Sequence, residues 1–203
     1  MVDRFLGKKE VMSSILSRGY QKGVCMRLTD LIKIYDNVLS KDSCNNIIGE
    51  FEARKELVDH HHNDVYKFDQ LNLNQTDLKP LATIFIRQII PLIKYYSAEF
   101  NVDRFIKMNA FEDVRIKKYL KNSDYQFKTH IDSADKESAV RYLVFILYLN
   151  DNNGNTFFPT LDYSCRPKQG SMILFPPFWM YPHSGVIPTD NDKYIMMSAL
   201  HHT

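Results

Sequence analysis

Apolar positions along this chain follow two different periods, and the change falls near Asn101. Before it, residues 31–38 (LIKIYDNV) alternate enough for a strand. Leu39-Ser40-Lys41-Asp42 carries helix-start chemistry, because Ser and Asp side chains accept bonds from unpaired backbone N–H groups. Residues 43–57 are the helix this predicts, with Cys44, Ile47, Ile48 and Phe51 on one face. Residues 59–75 are polar and read as a loop with one extended stretch. Residues 78–100 form a second predicted helix, since Leu78, Leu81, Phe85, Ile89, Leu92 and Tyr96 recur at helical spacing. Pro80 suits its first turn, whereas Pro91 should kink or divide it. Residues 1–27 are mixed, with room for a short helix around residues 10–18.

After Asn101 the segments are short and extended. Residues 105–111, 114–120 and 126–131 are separated by polar turns. Residues 140–149 (VRYLVFILYL) are an almost unbroken apolar run, which suits a strand covered on both faces. Asp151-Asn152-Asn153-Gly154 is a turn signal, and so is PKQG at residues 167–170. Strands are expected at residues 156–158, 171–175 and 193–200. Two helices followed by many short strands predict an α+β domain with a sandwich or barrel of antiparallel strands. All 203 residues fit one domain. Residues 1–100 would be mainly helical support with one or two strands, and residues 101–203 the strand-rich core carrying the active site.

Composition narrows the function classes. The formal net charge is +2, which gives no electrostatic preference for nucleic acid or membrane. No apolar run reaches the roughly 20 residues needed to cross a bilayer, and residues 1–10 lack the apolar core of a secretory signal. Cys25, Cys44 and Cys165 are scattered, with no CxxC pair, so a thiolate zinc site is not expected. An odd cysteine count without a signal points to free thiols and a cytoplasmic location, in a cell or in an infected host.

Chemistry concentrates in the second half. Residues two apart on a strand face the same way, so His130 and Asp132 in THID can offer an imidazole and a carboxylate to one ion. Alone, that triplet is weak evidence and reads as a surface strand ending in a capped turn. His183, in YPHSGV, follows an apolar strand and supplies a third donor. Two histidines and one carboxylate leave coordination positions open, the facial arrangement of non-haem iron(II) oxygenases. A structural zinc site would fill its positions with protein ligands instead. Lys193 starts the next strand ten residues on. A buried cation there would pair with the distal carboxylate of 2-oxoglutarate; taken alone it reads as an exposed loop lysine.

With these residues placed, residues 114–200 resemble the prolyl 4-hydroxylase-like branch of the iron(II)/2-oxoglutarate dioxygenases. The matching pieces are KKYLKNSDYQFKTHID, RYLVFILYLND, NGNTFFP, RPKQGSMILFP and PHSG, with Lys193 after them, and their order and spacing carry the likeness. The resemblance implies a double-stranded β-helix (jelly-roll, cupin-like) core flanked by helices. It implies iron held by His130, Asp132 and His183, and 2-oxoglutarate held by Lys193. Tyr119 matches the family tyrosine ahead of the HxD motif, which contacts the cosubstrate. Thr156 matches a threonine that can bond the same carboxylate, and Tyr148 an aromatic near that pocket in some members. O2 would be consumed, with ascorbate a candidate reductant. Gly154-Asn155-Thr156 has one glycine where the family shows two and an acid, and Phe178-Trp179 is unusually bulky; both departures fall on the substrate side. The presence of Asp132 favours hydroxylation over halogenation, since related halogenases lack that carboxylate.

The implied reaction is hydroxylation of a C–H bond with decarboxylation of 2-oxoglutarate to succinate and carbon dioxide. The leading substrate is a prolyl residue in a peptide or protein. A free amino acid or other small molecule is the second reading, and a non-catalytic metal- or partner-binding β-helix the third. Nucleic-acid demethylation fits poorly, because such enzymes anchor the cosubstrate with arginine and this chain has no basic stripe. Oligomeric state is not readable. Among other residues, His60-His61-His62 reads as a solvated run in a loop, and His201 and His202 as a frayed end. Arg141 and Arg166 read equally as substrate or surface residues. Trp179 reads as a substrate mouth or as core packing.

Overall fold

A computed structural model describes residues 26–107 and 110–202. The predicted helix at residues 10–18 lies outside these, as does Cys25. The described elements, in chain order, are β1 (Lys33–Tyr35), α1 (Lys41–Glu52), β2 (Asp59–His62), β3 (Lys67–Asn72), α2 (Lys79–Glu99), β4 (Ala110–Phe111), β5 (Arg115–Tyr119), β6 (Arg141–Tyr148), β7 (Thr156–Phe158), β8 (Tyr163–Cys165), β9 (Met172–Phe175), β10 (Ser184–Gly185) and β11 (Lys193–His201).

Ser40 caps α1 by accepting the Ser43 N–H at 3.1 Å, so the expected start chemistry is present. The helix stops at Glu52 rather than reaching residue 57. Arg54 leaves the helical region, with φ −119° and ψ 44°, and its guanidinium bonds Asp77 ahead of α2. Pro91 does not divide α2, which runs unbroken from Lys79 to Glu99. Pro91 sits on the exposed face, where water can satisfy the carbonyl that loses its N–H partner.

Eight antiparallel strands form the major sheet, in the order β1-β9-β6-β11-β5-β3-β2, with β4 beside β11; β10-β7-β8 form a smaller sheet. The β6 run explains how both faces are covered. Leu143, Phe145 and Leu147 join the cluster under the helices, with Phe85 and Ile89. Val144, Ile146 and Tyr148 face the other way, into a second cluster with Phe158 of β7 and Phe175. Two facing sheets with helices stacked on one outer face are the expected α+β double-stranded β-helix.

Three differences matter for the site. Residues 59–75, expected as a loop, contain the β2–β3 hairpin, and β3 pairs with β5 inside the major sheet. The described part of residues 1–100 therefore supplies three strands, against the one or two expected. Residues 126–131 form isolated bridges instead of a strand. His201 is not frayed: it ends β11 and bonds Glu112 at 2.8 Å.

Candidate metal and cosubstrate site

His130 and His183 are brought together by their own backbones. The His130 N–H donates to the His183 carbonyl and the His183 N–H to the His130 carbonyl, both at 2.9 Å. This two-point bridge sets the imidazole centroids 4.3 Å apart. Each ring is then oriented by a carbonyl two residues upstream. Nδ1–H of His130 donates to the Lys128 carbonyl at 2.8 Å, and Nδ1–H of His183 to that of Tyr181 at 3.2 Å. A carbonyl only accepts, so each ring carries a proton on Nδ1 and turns its Nε2 to the other side. Phe127 lies flat against the His130 ring, with centroids 3.4 Å apart and planes 7° apart.

Both Nε2 atoms face Asp132. Nε2 of His130 is 3.5 Å from Oδ1, and Nε2 of His183 is 3.4 Å from Oδ2. One donor atom from each residue lies within 4.8 Å of the others. Oδ2 of Asp132 is buried and has no hydrogen-bond partner. Such an oxygen is costly unless something fills the space between the donors. Burial pushes the His183 imidazole down to about 4, so it is neutral near pH 7. Burial opposes ionisation of Asp132, but His183, His130 and Lys117 outweigh it and hold the carboxyl below the usual carboxylate range. Two imidazole nitrogens and one carboxylate suit a divalent ion such as iron(II).

The cosubstrate end is built by β11, β5 and β7. Lys193 opens β11 directly opposite Tyr119 on β5. It is 4% exposed, so the alternative of a surface loop lysine does not hold. Burial pushes its ammonium down to about 8. Nζ donates to the Gly154 carbonyl at 2.6 Å and lies 5.8 Å from the ring centroids of both Tyr119 and Tyr148. The Tyr148 hydroxyl bonds Thr156 Oγ1 at 2.8 Å. Six of the seven singled-out residues, His130, Asp132, His183, Lys193, Tyr119 and Thr156, line one cleft. Tyr148 does not line it; fully buried behind Thr156, it acts through that hydroxyl pair.

Beyond the triad the cleft opens into a wider groove reaching Tyr66, Arg115 and Arg141. Sequence reasoning missed Lys117, which lines both spaces. The available signal was alternation: Lys117 is two residues before Tyr119 and so shares its face. Arg141, left open before, donates to the Asp132 carbonyl at 2.6 Å and to Glu112 at 2.5 Å. Arg166 is exposed. Trp179 is 76% exposed, so it is not core, and it lines neither space. His60 and His62 gather with Asp69 on the exposed side of the hairpin, while His61 turns into the groove.

Comparison with known proteins agrees with this arrangement. Residues 114–201 match the family model described as the 2OG-Fe(II) oxygenase superfamily. Over 125 residues the chain is 28% identical to a protein of Acanthamoeba polyphaga mimivirus described as "Putative prolyl 4-hydroxylase", covering 52% of this chain and 49% of that one. The chain thus spans about half the length of this relative. Its fold is similar to the viral collagen prolyl hydroxylase of Paramecium bursaria Chlorella virus-1 solved as a 2OG complex. That likeness has a TM-score of 0.65 and 19% identity, over 85% of this chain and 97% of that one. A prolyl hydroxylase of Trichoplax adhaerens, in complex with a hypoxia inducible factor oxygen degradation domain peptide fragment, aligns with a TM-score of 0.67 and 13% identity, over 86% and 84%. Residues 114–201, which carry the triad and Lys193, are thus similar to the 2OG-Fe(II) oxygenase superfamily, and the relatives the chain resembles are described as prolyl hydroxylases.

Proposed function

We propose that this chain is an iron(II)/2-oxoglutarate-dependent hydroxylase whose target is a prolyl residue in a peptide or protein. The observation that carries the reading is the buried Asp132 carboxylate, its Oδ2 bare, with one oxygen facing each of two Nε2 atoms whose rings are already locked by their Nδ1 protons. His130, Asp132 and His183 would hold the iron. Lys193, with Tyr119 and Thr156 beside it, would hold the distal carboxylate of 2-oxoglutarate. When bound, the iron couples decarboxylation of 2-oxoglutarate to succinate and carbon dioxide with oxygen insertion into a C–H bond.

The chain's own groups supply position and shielding. The Gly154 carbonyl aims the Lys193 ammonium and keeps it hydrogen-bonded until an anion arrives. Tyr148 orients the Thr156 hydroxyl, so the cosubstrate end is arranged before binding. Phe127 covers one face of His130 and limits water beside it. Arg141 pins the Asp132 backbone and so fixes where the carboxylate points. An open groove beside the triad supports an extended substrate, and the likeness to prolyl hydroxylases supports proline.

Incubation with iron(II), 2-oxoglutarate and oxygen, with and without proline-rich peptides and free proline, tests this reading. The expected result is succinate formation stimulated by a proline peptide, with one oxygen atom added to it. Succinate formation that no proline compound stimulates would remove the prolyl target. No succinate under any condition would contradict the enzyme assignment.

A further inference from the structure

Two adjacent lysines on β5 have opposite fates. Lys118 points to the helix side and is paired, 2.8 Å from Glu52 and 3.5 Å from Asp192. Lys117 points into the cleft, is 6% exposed, and has no hydrogen-bond or ion-pair partner among the described residues. Its Nζ rests 4.0 Å from the Phe68 ring centroid and 5.5 Å from that of Phe127, the ring stacked on His130. Of the two groove acids that act on it, Asp132 faces the two histidines and belongs to the triad, and Glu112 is already taken by Arg141, Arg115 and His201. Aromatic faces soften a buried cation but do not replace an anion.

The charges of the loaded site sharpen the point. An iron(II) ion, the Asp132 carboxylate, the two carboxylates of 2-oxoglutarate and the Lys193 ammonium balance to zero formal charge. Lys117 is then left as one uncompensated positive charge, at the mouth between the triad cleft and the open groove. The group expected to meet it is the one that enters last and from that side, the substrate.

We propose that Lys117 is a substrate-reading cation, receiving a substrate carboxylate while the Phe68 and Phe127 rings receive the apolar portion beside it. This rests on the hydroxylase reading above. The carboxylate has two sources of the same chemistry: an acidic side chain flanking the target residue in a peptide, or the α-carboxylate of a free amino acid.

Binding measured without oxygen, on the full chain loaded with manganese(II) and 2-oxoglutarate, tests this apart from turnover. Two probe pairs separate the sources: a proline peptide flanked by glutamate against the same peptide with glutamine, and L-proline against L-prolinamide. The native chain is expected to bind the carboxylate member of one pair about tenfold or more tightly. Lys117→Met is expected to lose that preference, and Lys117→Arg to retain it. Equal binding within both pairs by the native chain overturns the proposal, and that arm needs no variant to fold. A preference unchanged in Lys117→Met also overturns it. So does weaker 2-oxoglutarate binding with the preference intact, which would move Lys117 to the cosubstrate. Loss of succinate formation in the native chain would overturn the hydroxylase reading. Normal succinate formation without carboxylate preference overturns only the role of Lys117.

Discussion

Asp132 lies where a charge is hardest to keep, buried and with one oxygen bare, yet the histidines and Lys117 beside it lower its carboxyl below the usual range against the desolvation that opposes them. Asp132→Asn keeps the shape but removes the charge. Divalent-metal affinity, read by equilibrium dialysis, is expected to fall by at least the 10–100-fold typical of losing an outer metal-site partner. Lys193 carries a parallel cost. Burial lowers its ammonium from 10.5 to about 8, and each unit is about 1.4 kcal/mol, so keeping it charged costs roughly 3 kcal/mol. Because the folded-state value is lowered, the unfolded chain binds the proton more tightly. The cost is fully present below about pH 8 and disappears as pH rises through the ordinary lysine value. Lys193→Met is therefore expected to raise the melting temperature of the ligand-free protein at neutral pH while weakening 2-oxoglutarate binding. In the native chain, the KM for 2-oxoglutarate should be lowest below about pH 8 and rise above it, as the ammonium is lost. The triad was legible because two-residue spacing on extended chain puts His130 and Asp132 on one side, and His183 and Lys193 follow at family spacing. Lys117 was not, because KK reads as one basic patch until the strand's facing is known.

The elements around the site repeat that contrast. β6 was legible because its apolar run is buried on both faces, and α2 because its stripe has helical period. The β2–β3 hairpin was not legible, because β3 buries polar groups by satisfying them. Asn72 donates to Asp113 at 2.9 Å and accepts the Asn74 N–H at 3.0 Å, so it reads as loop and folds as sheet. The β6–β7 connection shows how a turn can tune chemistry. A Cβ at Gly154 would stand 2.9 Å from the Val186 carbonyl oxygen and 3.1 Å from Pro188 Cβ. The carbonyl of the same residue orients Lys193. Gly154→Ala is expected to destabilise the fold by about 1–3 kcal/mol, as overpacking does. The KM for 2-oxoglutarate should rise while metal affinity in dialysis is held, since the triad lies on other segments.

Across the whole molecule, the site is assembled from segments distant in sequence. Residues 130–132 and 183 meet through the His130–His183 backbone bridge, and Lys193 on β11 faces the same cleft between β5 and β7. Metal and cosubstrate that bind only the folded chain should therefore stabilise it by mass action, about 2.7 kcal/mol at a hundred times Kd. The most direct test of the central claim, that this constellation binds iron and 2-oxoglutarate for oxidation, is succinate formation from 2-oxoglutarate under air. It should be measured side by side for the native chain, His183→Ala and Lys193→Ala. Iron(II)-dependent succinate from the native chain is expected. His183→Ala should give none, and Lys193→Ala should give it only at much higher 2-oxoglutarate. Succinate formation equal in all three proteins, or absent from the native chain with iron bound, would contradict the claim.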